Sequence, residues 1–387
     1  MRHKSPRIGI IVDKLNAGGM QKIAIRQTTA LQKSGVDAAL VVLRYDPLDK
    51  NNFRDMLSGV RVIYLDQRLP RILRISFRFP VFQFFSLFHI TYALFLPFVV
   101  SYGEFDYWVP HGTYTCFTAI TIRLLKGIRF SGFIWDPVHY IMMRIYKHEF
   151  PPLLFHFLSA AAVIIDRLIC SFSEFILVGG SAHNSYFKKI APQRIIRRIP
   201  PPVIMMNGTQ TRKDKSILLS TVWKKGKHPK KLIAIVRNLK NVHFVMSGAW
   251  ICESERKDYT TMVKKTGLSR QITVTGEISD KNLFDLNRRC LAVLQINDDR
   301  GFGLPALEAA ACGTTFIIPR GQGVCEYFRN GIDGYFVTEG DINRIVDLIR
   351  IFIGDPNLAV TMGKSAQQRV MNFFSWRSTA TALINLI

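Results

Sequence analysis

The sequence predicts an α/β protein built from two Rossmann-like domains that face a cleft. Three observations carry this. A short apolar run at residues 8–13 (IGIIVD) is followed by a glycine pair, a helical stretch and a second apolar run. Pro200-Pro201-Pro202 then breaks the pattern, and strand–helix alternation restarts beyond it. At 387 residues the chain exceeds one compact core and fits two domains.

The elements follow in order. Residues 8–13 suit a buried parallel strand, since both faces of such a strand meet apolar neighbours. Gly18-Gly19 forms the turn, residues 20–34 have helical character and Gly35 stops them; residues 37–43 (DAALVVL) make the next strand. Shorter strands are expected at 61–65, 106–110, 133–135, 168–170 and 176–178. A basic stretch, 188–198, leads to the proline run, and a polar one, 207–216, leaves it; this is the domain boundary. Strands at 216–222, 242–247, 272–275, 292–296 and 315–318, with a helix at 229–239, make the second half.

Composition narrows the class. Hydrophobic residues make up 48% and charged residues 21%, which excludes a disordered or fibrous chain. Lys and Arg number 52 against 28 Asp and Glu, a net charge of +24 that favours anionic partners. No helix-turn-helix, RNP or zinc pattern accompanies that charge, so nucleic acid is not an expected partner. The six cysteines are scattered without a CxxC pair and read as reduced thiols of a cytoplasmic protein. The apolar run near the N-terminus is too short for a signal peptide.

Residues 68–100 stand out. Arg71, Arg74 and Arg78 share one helix face, and no charged side chain occurs from 79 to 103. That length would span a bilayer, but strands of one sheet lie on both sides of it, so a crossing is rejected. A core helix with an arginine edge and an interfacial patch on an anionic membrane both fit the pattern.

Two loops have the chemistry of phosphate binding. Gly18 and Gly19 let backbone N–H groups approach a ligand at a helix start. Residues 300–313 (RGFGLPALEAAACG) place Gly301, Phe302, Gly303 and Leu304 before a small-residue helix, whose first amides suit a diphosphate. Glu308 either balances that helix dipole or accepts hydrogen bonds from a ribose diol.

Residues 300–313 resemble the second half of the Glu-x7-Glu motif of family-4 retaining glycosyltransferases, which have the GT-B fold. Gly18-Gly19 resembles that family's early glycine loop, and Asp106 through His111 (DYWVPH) its His-ending strand. Residues 321–326 (GQGVCE) and 330–334 (NGIDG) resemble its GG-x-x-E and following glycine run; Phe374-Ser375-Trp376 resembles its C-terminal "fsW". The resemblance implies an acceptor domain at 1–199, a nucleotide-sugar donor domain at 200–368, and a final helix at 369–387 that packs back on the first domain. It also implies that Glu326 sits near the donor sugar hydroxyls or caps the next helix, and that the acceptor attacks the front face while the leaving phosphate takes its proton. His111 and His139 are candidates near the cleft.

Two departures matter. Arg300 occupies the place of the first motif Glu, and a guanidinium cannot accept hydrogen bonds from sugar hydroxyls. Asp299, just before it, is the candidate to reach into that place, with Arg300 on phosphate or acceptor. The family's Arg and Lys beside the leaving diphosphate map onto Lys227, with Lys224 or Lys225 for the arginine. The expected activity is thus sugar transfer from a UDP- or GDP-sugar to a glycan or lipid-linked acceptor, with no metal motif and no cofactor. The expected place is the cytoplasm or the cytoplasmic face of a membrane. The alternative is a GT-B protein that binds a nucleotide sugar or polyanion without turnover.

Overall fold

The structure, a computed structural model, describes residues 6–15, 18–45, 53, 56–68, 93–98, 104–147, 149–205, 213–223, 227–296 and 301–387, without the side chains of 144, 145 and 182. The chain divides into two compact units, Met1–Pro202 with Trp376–Ile387, and Val203–Ser375.

The first unit opens with β1 (Ile8–Val12), α1 (Gly19–Lys33), β2 (Ala38–Val42) and β3 (Val62–Tyr64). After them come β4 (Tyr107–Pro110), α2 (Thr113–Lys126), β5 (Arg129–Phe130) and β6 (Gly132–Phe133). The short α3 (Val138–Ile141), the long α4 (Pro152–Phe172), β7 (Phe175–Val178), α5 (Asn184–Ile190) and β8 (Ile195–Arg198) complete the run. Strands pair in the order β3-β2-β1-β4-β5, all parallel, and β6-β7-β8 form a second parallel sheet. The backbone N–H of His111 donates to Ile11 O (2.8 Å) and that of Gly112 to Phe133 O (3.0 Å), which ties the two sheets together.

Both faces of the five-stranded sheet are covered, which is why β1 and β2 are apolar throughout rather than alternating. Ile8, Ile10 and Val12 pack with Ala24, Ile25 and Leu31 of α1 and with Leu383 and Leu386 near the C-terminus. Ile11, Ala39 and Val41 pack on the opposite face with Cys116, Ala119 and Ile122 of α2. Gly9 permits this layering, since a Cβ there would come within 2.3 Å of the Trp108 ring.

The second unit contains β9 (Asp214–Ser220), α6 (Lys231–Arg237), β10 (His243–Ser247), α7 (Glu253–Lys265), β11 (Ile272–Gly276), α8 (Asp280–Arg289) and β12 (Cys290–Leu294). It continues through α9 (Leu304–Ala311), β13 (Thr315–Pro319), β14 (Tyr335–Val337), α10 (Ile342–Gly354) and α11 (Pro356–Phe373). Its six parallel strands run β11-β10-β9-β12-β13-β14, the doubly wound order with its reversal between β9 and β12. The last helix, α12 (Trp376–Ile384), belongs to the first unit and lies against α1.

Several expectations need correction. Residues 168–170 are not a strand; they lie in the last turns of α4, where Ile169 and Cys170 continue the buried face begun by Ala162 and Asp166. The basic stretch before the prolines ends in a strand, β8. The unit boundary falls after Pro202. Residues 369–373 belong to α11 in the second unit, so the chain returns at Trp376.

Candidate functional site

In an open parallel sheet, the loops at the carboxyl ends of the strands diverge where the strand order reverses, and that leaves a crevice. In the second unit this crevice is a small, half-open hollow lined by Leu219, Ser220, Thr221, Trp223, Lys227, Leu294, Gln295 and Ile296. Lys227, predicted from sequence, therefore lines the hollow at the switch point. Trp223, which the sequence did not single out, holds the β9 loop in place. Its backbone N–H donates to Ala249 O (2.8 Å), its indole N–H to Ser247 O (3.1 Å), and its ring stacks on Trp250 at 5.5 Å. Gly248 has φ +118°, and a Cβ there would meet Thr221 O at 1.9 Å, so only glycine lets the two loops approach. The Gln295 Oε1 atom is buried without a hydrogen-bond partner among the described residues.

Gly301 leads into α9. Gly303 caps that helix in the left-handed region (φ +91°); Pro305 has no N–H to offer, and the Ala306 and Leu307 N–H groups donate to Gly303 O (3.1 and 3.2 Å). Phe302 does not face outward: it is buried, with its ring 6.0 Å from that of Phe374 and 6.1 Å from that of Tyr327. The ring thus anchors the loop. The loop is also stitched to the segment after β13, where Gly323 N–H donates to Gly301 O (3.1 Å) and Val324 N–H to Phe302 O (2.7 Å). That pairing sets Gln322 against the helix start. Its side chain is 2% exposed, and neither Oε1 nor Nε2 has a hydrogen-bond partner among the described residues. A buried amide left so is costly unless something else meets it. Glu308 is buried one turn into α9, Leu304 is its half-buried first residue, and Glu326 is exposed. Lys224, Lys225, Asp299 and Arg300 lie outside the described residues.

In the first unit the strand order reverses between β1 and β4, and the predicted residues gather at the ends of those strands. Gly18 is the N-cap of α1 with extended φ −176°, Gly19 is exposed, and the first turn carries no acidic residue. A helix start without acidic side chains favours an anion. His111 follows β4, is 1% exposed, and stacks on Phe133 at 4.8 Å. The Trp135 indole N–H donates to His111 Nδ1 (3.2 Å), so the ring proton is on Nε2, which donates to Gln27 Oε1 (2.9 Å). Burial pulls the imidazole down to about 3. The ring is therefore neutral, with both nitrogens engaged, which fits a fixed positioning group rather than a proton carrier.

His139 sits on α3, its ring stacked on Tyr186 at 5.6 Å. That helix is set by Asp166 of α4, a residue sequence reasoning missed. Asp166 is fully buried and accepts from Val138 N–H (2.9 Å), His139 N–H (3.1 Å) and the Tyr186 hydroxyl (2.6 Å). Burial pushes its carboxyl upward, and these three donors oppose the shift. Of the 68–100 stretch, residues 69–92, including Arg71, Arg74 and Arg78, and 99–100 lie outside the described residues. Arg68 pairs with Glu104 at 3.1 Å, and in the helical segment 93–98 Phe95 and Phe98 are exposed while Ala93 and Leu96 are buried.

Residues 206–369 match the family model for glycosyl transferases group 1. Glycogen synthase of Mycobacterium tuberculosis is 28% identical over 161 residues, which is 41% of this chain and 38% of that protein. The chain thus aligns with well under half the length of this curated relative. Among solved structures, sucrose-phosphate synthase from Thermosynechococcus elongatus superposes with a TM-score of 0.78 at 18% identity, covering 98% of both chains. Anabaena Alr3699/HepE, solved in complex with UDP and glucose, superposes with a TM-score of 0.74 at 13% identity, again over 98% of both. The chain has the GT-B fold of glycosyltransferases, and most of its second unit carries the group 1 glycosyltransferase pattern.

Proposed function

We propose that the chain is a retaining, metal-independent glycosyltransferase. It moves a sugar from a nucleotide-diphosphate sugar to a glycan or lipid-linked acceptor at the cytoplasmic face of a membrane. The observation that carries the reading is the hollow at the switch point of the second sheet, lined by Lys227, inside the segment that matches the group 1 pattern.

In this reading the anomeric C–O bond breaks and the nucleoside diphosphate departs with its electron pair. The growing charge needs fixed donors in a site that does not reorganise. Lys227, the Leu304 N–H at the start of α9 and the Gln322 carboxamide supply them. Glu308 accepts from the ribose hydroxyls. The acceptor oxygen bonds to the anomeric carbon, and its proton passes to the departing phosphate oxygen.

The test is a screen of UDP- and GDP-sugars with detection of released nucleotide, then mass and anomeric configuration of the product. A product of unchanged anomeric configuration, formed in the presence of EDTA, supports the reading. An inverted product or EDTA-sensitive turnover removes that part of it. A second reading, nucleotide-sugar binding without turnover, is favoured by Arg300 standing where the resembled family has a carboxylate. Calorimetric binding of a donor that is neither hydrolysed nor transferred to any acceptor tested would establish it instead.

A further inference from the structure

We propose that α4 is a membrane-docking helix that lies flat in the headgroup region of an anionic bilayer. The inference rests on α4 itself and is independent of the catalytic reading. Leu153, Phe157, Ala160, Ile164 and Leu168 are all exposed, the first, second and fourth at 86%, 70% and 65%. At about 100° per residue they fall within roughly 80° of one another, a stripe about 22 Å long. Such a strip is unusual on a water-facing surface, where large apolar side chains are scattered singly.

The opposite face is fully used. Phe155, Ala162, Asp166, Ile169 and Cys170 are buried against the first unit. Asp166 is bonded to the start of α3 and to Tyr186 of α5, and β7 begins three residues after the helix ends. Although α4 is long and apolar enough to cross a membrane, inserting it would break that network and pull β7 from its sheet. Lying in the interface keeps the inner face on the protein and gives the outer stripe to lipid.

Charge identifies the surface. Residues 113–205 contain eleven Lys and Arg against four Asp and Glu. Cations cluster at the C-terminal end of α4: Arg167 is exposed on it, and Arg123 donates to Phe172 O. Arg194 donates to the carbonyls of Ser171 and Ser173, and α5, packed beside α4, exposes Lys188 and Lys189. Leu124 and Leu125, next to Arg123 on α2, are exposed as well. A second copy docked two-fold on this face would bring like charges together, whereas anionic headgroups neutralise them. α4 is a different segment of the chain from residues 68–100, which carry the patch the sequence predicts.

The experiment is flotation of the full chain with vesicles of phosphatidylcholine alone or containing a minority of phosphatidylglycerol, with light scattering of the protein alone. The wild type is expected to float with the anionic vesicles. The triple substitution Phe157→Ser, Ile164→Ser, Leu168→Ser should lower the bound fraction about tenfold, with unchanged circular dichroism and melting. A Phe157→Trp variant should be quenched by brominated lipid, which a role in folding alone would not produce. The proposal is overturned if the wild type does not float, if the triple variant floats equally well, or if the indole introduced by Phe157→Trp is not quenched. It is also overturned if the stripe variant only converts a dimer to a monomer. Loss of binding on replacing Arg71, Arg74 and Arg78 by Gln, with the stripe variant unaffected, would return the docking site to the sequence-predicted patch.

Discussion

The Gln322 side chain lies so close over Gly303 that a Cβ added there would come within 2.5 Å of its Oε1. One residue is a left-handed helix cap and the other a buried amide without a partner among the described residues. Each constrains the other, because the cap must stay glycine for the amide to reach the helix start.

Gly303→Ala combines a positive φ with that clash. A left-handed non-glycine residue alone costs about 1–2 kcal/mol. The variant should unfold at lower urea concentration and bind UDP or GDP more weakly, as read by denaturation and calorimetry. Gln322→Gly removes the amide without strain. It should leave stability equal or higher and weaken nucleotide binding about two- to tenfold, the worth of one ordinary hydrogen bond. Unchanged affinity would place Gln322 outside the binding set.

Lys227→Ala should lower kcat about 100-fold, the usual loss when one preorganised donor to a developing negative charge is removed. Melting should not change. Steady-state kinetics with the best donor from the screen decides it.

Glu308→Ala should weaken UDP or GDP binding by roughly 1–3 kcal/mol, the range for a charged hydrogen-bond acceptor. Isothermal calorimetry reads this directly, and an unaltered affinity would show that the carboxylate serves the helix rather than the ribose.

His111 makes stability depend on acidity. Its ionisation falls from 6.5 to about 3 on folding, through burial. Below 6.5 the unfolded chain therefore takes up the proton first. This contribution is complete above that pH and is lost as the solution is acidified toward 3. By pH 5 the loss amounts to about 2 kcal/mol. Urea unfolding of the wild type and of His111→Gln at pH 7 and pH 5 should show the smaller pH dependence in the variant.

Asp166→Ala leaves two backbone donors and the Tyr186 hydroxyl facing a void. It should cost about 3 kcal/mol by urea denaturation, and Asp166→Asn less, because the amide oxygen still accepts.

Much of this was readable from residue order. The β1–α1–β2 opening and the restart after the prolines are strong because parallel strands covered on both faces are uninterrupted apolar runs between glycine turns. Lys227 and Gly303 stood out as candidates because loops at strand ends are where ligand chemistry concentrates. The misreading at 168–170 has a plain cause. α4 is apolar nearly all round, so its 3.6-residue period is faint and three apolar residues pass for a strand. The orphaned Gln322 carboxamide, the anchoring role of Trp223 and the linking of Gln27 and Trp135 to His111 carried no local signal. Their meaning comes from partners such as Gln27 and His111, 84 positions apart, that only folding brings together.

The closing helix has a consequence for synthesis. Leu383 and Leu386 complete the core layer that Ile8, Ile10 and α1 begin, although the whole second unit is translated between them. The lobe made first is finished last. On the ribosome it must wait with one side of its sheet partly bare, and ribosome stalling before Trp376 would release a nascent chain whose earliest strands are still without their final cover.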